Sequence, residues 1–241
     1  MIVQLLGNLV PLVFGIIAIG KWRSSKVDRT EVRKRLGVAP FSTFQLLSGL
    51  FIGALVFTAV FAVFNLLGLL TIVQFSWTRG DTLAAISLFT VGTVVEELLF
   101  RSFFINGLRF YLRSTALILV VSAAFFSLVH WFNDNSTALS VTSAFMGGIM
   151  YAYAFIKTER LWLPMGLHFS WNFFQGYVYG FPVSGFTFDG LFEISISGQE
   201  LWTGGKYGPE GGLIGILARV AVILLTWSIL RIRSGRRQGF V

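Results

Sequence analysis

The sequence predicts an all-α membrane protein, a polytopic transmembrane helix bundle of about seven spans, on three observations. Of its 241 residues 55% are hydrophobic and 12% charged, whereas roughly a quarter of an ordinary soluble domain is charged. Mean hydropathy is +0.75. Seven apolar stretches approach the ~20 residues that a membrane-crossing helix needs, and the basic residues fall on alternate connections between them.

Taken in order, the stretches are 2–20, 44–72, 82–104, 115–132, 138–156, 161–180 and 213–230. The first has no basic residue before its apolar run, and the basic cluster follows it, which fits a retained span better than a signal peptide. That cluster holds Lys21, Arg23, Lys26, Arg29, Arg33, Lys34 and Arg35 against Asp28 and Glu31. Basic residues mark cytoplasmic connections, so the N-terminus is expected outside. Alternation then puts Arg109, Arg113, Lys157, Arg160 and the tail Arg231, Arg233, Arg236 and Arg237 inside, and leaves only Arg79 and Lys206 on outer connections. The cluster reads as an ordinary topology signal in preference to a specific anionic-lipid site.

The net charge of +8 is thereby spent on orientation, and nucleic acid is not expected as a partner; the bilayer is. No internal repeat appears, and residues 1–241 are expected to form a single membrane domain with 181–212 as an extracytoplasmic loop. That loop carries Asp189, Glu193, Glu200 and Glu210 and a Gly-rich run from Gly204 to Gly212. The run lacks the Gly-Lys-Ser/Thr ending of a phosphate loop and no strand leads into it, so it reads as an outer turn.

The third stretch places Glu96, Glu97 and Arg101 inside an apolar helix. A charge at the centre of a span costs roughly 2.5 to 3.5 kcal/mol on insertion scales, and the apolar residues of 82–104 return only on the order of 4 to 7 kcal/mol. Two buried Glu would nearly cancel that, so something other than insertion keeps them there. Glu97 and Arg101, four apart with Glu first, suit a same-face ion pair; Glu96 has no local partner. Both histidines of the chain also lie in spans, as Phe126-Ser127-Leu128-Val129-His130 and His168-Phe169-Ser170-Trp171-Asn172. Ionisable groups in a membrane are functional by default. A carboxylate, two imidazoles and an amide are the groups that hydrolysis needs, and with no Cys in the chain any hydrolytic chemistry rests on oxygen and imidazole. Phe126 reads as a packing wall. On these span limits His130 falls near the outer end of its helix, with Glu96 and His168 nearer the cytoplasmic side.

Glu96-Glu97-Leu98-Leu99-Phe100-Arg101 resembles the EExxxR motif, Phe126 to His130 resembles FxxxH and His168 to Asn172 resembles HxxxN, in the order and on the separate spans of the CPBP intramembrane protease family. That family includes the type II CaaX prenyl endopeptidases and the Abi-like bacteriocin-processing and bacteriocin-immunity proteins. The resemblance covers about 82–180, the catalytic motif core, and the 201–212 run looks like a segment common in bacterial members. It implies a membrane-embedded endopeptidase in a bacterial plasma membrane, acting on a peptide or protein substrate. Glu96 and His130 would activate water, His168 and Asn172 would stabilise the oxyanion, and Glu97 and Arg101 would position the site. The prenyl endopeptidases have eight spans, which admits an eighth here on the N-terminal side of the motifs.

Two chemistries fit these residues. Glu96, His130 and His168 are the ligand types of a hydrolytic Zn2+ site with an open position, and a buried glutamate can equally act as a metal-free general base. Two other functions use the same residues: a proton- or ion-coupled carrier with Glu96, Glu97 and the histidines as a relay, and a non-catalytic immunity protein that keeps the fold. Asn172 and Arg101 favour the protease, since both are idle in a simple relay. Arg219, in the last span, is left to pair with a Glu or to reach the interface.

Overall fold

The computed structural model describes residues 2–238. Every predicted stretch is helical: α1 (Ile2–Ser24), α3 (Thr43–Leu66), α4 (Arg79–Glu96), α6 (Thr115–His130), α7 (Ala138–Thr158), α8 (Trp162–Asn172) and α10 (Leu213–Gln238), with a short α2 (Arg29–Arg35) in the basic connection. The helix starts are written in local chemistry. Asp28, Ser42, Thr78 and Ser114 each accept a backbone N–H of the first turn, and Thr137 with Ser140 forms a reciprocal capping box, which satisfies donors that a helix start leaves orphaned. Among the described residues, four helical segments are long and apolar enough to cross a membrane: Thr43–Leu66, Arg79–Leu108, Ala138–Thr158 and Leu213–Ile232. Thr115–His130 is apolar but shorter.

Two site-bearing helices change pitch midway. α4 passes without a break into a π-helical segment, π1 (Glu97–Ile105), and a last short α turn, α5 (Asn106–Leu108); α8 passes likewise into π2 (Phe173–Val178). The sequence had suggested regular α-helix through 82–104 and 161–180. Wider π turns inside α-helices are uncommon and concentrate at functional sites.

The helical stretch expected to run to 72 stops at Leu66. Gly68 takes a left-handed φ of +67°, and the β-branched Thr71-Ile72-Val73 that follows favours extended chain. Strand β1 (Leu70–Phe75) pairs antiparallel with β2 (Phe192–Ile196), with an irregularity between Ile72 and Gln74, so the helical bundle carries a two-stranded sheet. The rest of 181–212 is not a simple turn. A short helix, α9 (Glu200–Thr203), and two 3-10 turns, Gly205–Tyr207 and Pro209–Gly211, fold inward, and Tyr207 through Gly212 is buried.

Close packing of α3 on α8 builds the centre. A Cβ on Gly49 would come within 2.5 Å of the Leu163 carbonyl oxygen, and one on Gly166 within 2.4 Å of that of Leu46. Small residues at such crossings let backbones approach when lipid offers no hydrophobic drive between helices. The main core gathers Phe57, Phe64, Trp171 and Phe181 with Tyr151 and Phe126; a second cluster under α1 holds Phe104, Phe155 and Leu161.

Candidate active site

Glu96 is the last residue of α4 and Asn172 the last of α8, so each stands where its helix opens into a π segment. His130 ends α6. At about 1.5 Å per residue this 16-residue helix is roughly 24 Å long, shorter than the ~30 Å hydrocarbon core. The axial gap expected between His130 and the other two residues is not observed, since all of them reach the same cleft. Glu96, His130, His168 and Asn172 all line one cleft of about 340 Å3, walled by Leu88, Phe89, Phe100, Val129, Phe186 and Phe188.

Glu97 and Arg101 lie behind that cleft, fully buried. Glu97 works in two directions. Its Oε1 accepts a 2.8 Å hydrogen bond from His168 Nδ1, and its Oε2 stands 3.3 Å from Arg101 Nε. A carboxylate has no proton to give when ionised, so this bond puts the Nδ1 hydrogen on His168 and turns Nε2 toward the cleft, 3.9 Å from Glu96 Oε2. The ring of Tyr151 stacks on His168 at 4.4 Å. The Arg101 guanidinium lacks hydrogen-bond partners and lies over the rings of Phe126, at 4.7 Å, and Tyr151, at 5.5 Å, where the negative ring faces offset its charge.

His130 is held differently. Its Nδ1 lies 2.8 Å from the Phe126 carbonyl oxygen; a carbonyl only accepts, so Nδ1 donates and Nε2 keeps a free lone pair. This gives the Phe126-to-His130 spacing a second meaning. The Phe126 ring packs against Arg101 and its backbone sets the His130 tautomer.

Glu96 is the partly open member, with its side chain 35% exposed. Its Oε2 is nevertheless buried and has no hydrogen-bond partner. Among the described residues no three His, Asp or Glu side chains converge closely enough to hold a metal ion. Glu96, His130 and His168 are the residues that would hold a zinc ion, which would supply an activated water, and the steps proposed here use side chains alone.

A second buried cluster lies against the far wall. Glu210 Oε2 accepts from Arg219 Nη2 at 2.7 Å and from Trp171 Nε1 at 3.3 Å, and Oε1 accepts from the backbone N–H and the hydroxyl of Ser184. Ser184 lines the cleft and sits at a left-handed φ of +51°. Arg219 also donates to Ser143 and lies over the Trp171 ring. Burial, with Glu210 nearby, pushes the Tyr207 phenol well above its usual range. The sequence places Glu210 in an outer turn and offers Arg219 a Glu or the interface; the structure pairs it with Glu210. The usable signal was the pair itself: an arginine in an apolar span requires a counter-charge, and Glu210 was the acidic residue nearest to it in the chain.

A carboxylate, two imidazoles and an amide thus share one cleft in a helical bundle that includes four segments able to cross a membrane. Residues 78–174 match the family model described as type II CAAX prenyl endopeptidase Rce1-like. That segment contains all of the motif residues, and the match supports the family that the motifs resemble. No curated protein matches the chain, and neither does any solved structure.

Proposed function

We propose that the cleft hydrolyses a peptide bond with water activated by Glu96 and His130. The observation that carries this reading is the convergence of Glu96, His130, His168 and Asn172 on one cleft, with the partly open Glu96 carboxylate 3.9 Å from His168 Nε2. A water held in that cleft between Glu96 and His130 would be placed for attack. Glu96 takes the proton and His130 Nε2 accepts the second hydrogen bond that orients the water. The hydroxide oxygen bonds to the substrate carbonyl carbon, and the carbonyl electron pair moves onto oxygen. The Asn172 amide donates to that oxyanion. His168 donates through Nε2 in its doubly protonated form, since its Nδ1 hydrogen is already committed to Glu97. Collapse breaks the C–N bond, and the proton held by Glu96 passes to the leaving nitrogen. Glu97 and Arg101 position His168 without touching substrate.

The whole described bundle, 181–212 included, acts as one membrane unit on this reading, with its basic end in the cytoplasm. A carrier would use the same acids, but the Glu97 carboxylate is tied to both Arg101 and His168, which suits positioning better than a proton relay. The test is purified protein in liposomes with candidate peptides, comparing wild type with Glu96→Gln, His130→Ala and His168→Ala. Loss of cleavage in each variant, with folding retained, is expected. Cleavage that persists in all three removes the assignment. Bound zinc in the purified protein, together with loss of activity on exhaustive chelation, would replace the metal-free route.

A further inference from the structure

The two ends of the bundle are chemically different, and the lining of the cleft extends from Glu96 toward one of them. Fifteen of the nineteen Lys and Arg residues belong to one end: seven in 21–35, then Arg109, Arg113, Lys157 and Arg160, and four in 231–237. Contacts between distant segments tie that end together. Arg109 forms a two-pronged pair with Glu159, Lys21 lies over the Phe110 ring, and the Ser102 hydroxyl and the Asn106 amide donate to the carbonyls of Leu36 and Arg35. The other end carries Arg79 and Lys206 with Asp81, Asp134, Asp189, Glu193 and Glu200.

The cleft lies on the acidic side of its own catalytic groups. On α4 its lining runs from Glu96 back through Gly92 to Leu88, eight residues and about 12 Å toward Arg79. Leu88 and Phe186, on opposite walls, are both exposed, and a Cβ on Gly92 would meet nothing within 4 Å. In the other direction Phe100, Glu97 and Arg101 are buried and close the floor. The roof is stapled: Asn133 Nδ2 donates to the Ser184 carbonyl and Asn135 Nδ2 to that of Gly185. What stays open is a side mouth between the N-terminal half of α4 and Phe186.

Basic residues are retained on the cytoplasmic side. We infer that the site takes its peptide from the non-cytoplasmic side of the membrane, through the mouth between Leu88, Gly92 and Phe186. This inference rests on the endopeptidase reading and names its substrate class: an apolar, extended segment of an exported or outward-facing membrane-anchored chain, in place of the end of a cytosolic protein. The Leu88, Phe89, Phe186 and Phe188 walls fit apolar side chains, and Gly92 leaves room for a backbone alongside α4.

The absence of Cys makes the test direct. Phe186→Cys, Lys206→Cys and Lys34→Cys are each introduced singly into the full chain and exposed to a membrane-impermeant maleimide in intact cells and after lysis. Labelling of the first two in intact cells, and of Lys34→Cys only after lysis, is expected; the reverse pattern overturns the inference. In a second arm, one scissile peptide is fused to a membrane anchor that displays it either outside or inside, and wild type is compared with Glu96→Gln. Cleavage confined to the outside display is expected, and preferential cutting of the inside display overturns the inference even when the labelling agrees. If wild type cuts neither display, it is the endopeptidase reading that fails, and the labelling still decides which side the mouth faces.

Discussion

Tyr151 lies flat on His168, ring centroids 4.4 Å apart and planes 17° apart. It supports from one face an imidazole that Glu97 fixes at Nδ1. An aromatic pair of this kind contributes about 0.5 to 1.5 kcal/mol beyond its buried area. Tyr151→Phe keeps the stack and should retain most activity. Tyr151→Leu should lower kcat by several-fold with little change in KM, since it loosens a transition-state group. Equal losses in both variants would assign the effect to the hydroxyl.

The Glu97–Arg101 pair is fully buried. Removing one partner of a buried pair typically costs about 3 to 5 kcal/mol, whereas replacing both with apolar groups of similar volume can be neutral. Glu97→Leu and Arg101→Met should each lower the unfolding midpoint substantially, and the double variant should recover much of the loss. Activity should recover in none of them, because His168 loses its Glu97 acceptor or that acceptor loses its anchor. Thermal unfolding and peptide cleavage on the same preparations check both parts.

Glu210→Ala leaves Arg219 without its carboxylate and frees the Ser184 N–H and hydroxyl. Reduced stability is expected together with raised KM, since Ser184 lines the cleft. Arg219→Met should destabilise with a smaller effect on KM, because the Glu210 contacts to Ser184 and Trp171 persist. Proteolysis within 181–212 would report loosening of the wall independently of catalysis.

Gly166→Ala sets a methyl group against the Leu46 carbonyl at the α3–α8 crossing. Overpacking of this kind costs about 1 to 3 kcal/mol. A lower unfolding midpoint is expected, whereas Gly92→Ala, where nothing lies within reach, should leave the midpoint unchanged and alter KM.

Tyr207 gives stability an alkaline limb. Burial raises its phenol above the usual value, so the unfolded chain, with an ordinary pKa near 10, loses that proton first. The contribution is complete below about pH 10 and falls as pH rises toward the folded value. Tyr207→Phe should flatten that part of the unfolding profile, and an unchanged slope would refute the assignment.

Local signals made much of the protein legible in its sequence. Apolar runs of spanning length and caps such as Ser42 and Thr78 are encoded within a few residues, and they set the helices. The cost of a charge in lipid singled out Glu96, Glu97 and Arg101, and the same rule marked both histidines. Tertiary structure decided the rest, because it depends on contacts between residues far apart in the chain. The Glu97–His168 bond, the stack of Tyr151 and the burial of Glu210 against Arg219 have no local signature. The π segments after Glu96 and Asn172 alter the helical period on which sequence patterns rely. The meeting of His130 with Glu96 and His168 follows from how α6 packs in the bundle. Sequence alone therefore determined which groups must find partners out of water; only the packing of α4, α6 and α8 decided which partners they found and which of them share the cleft.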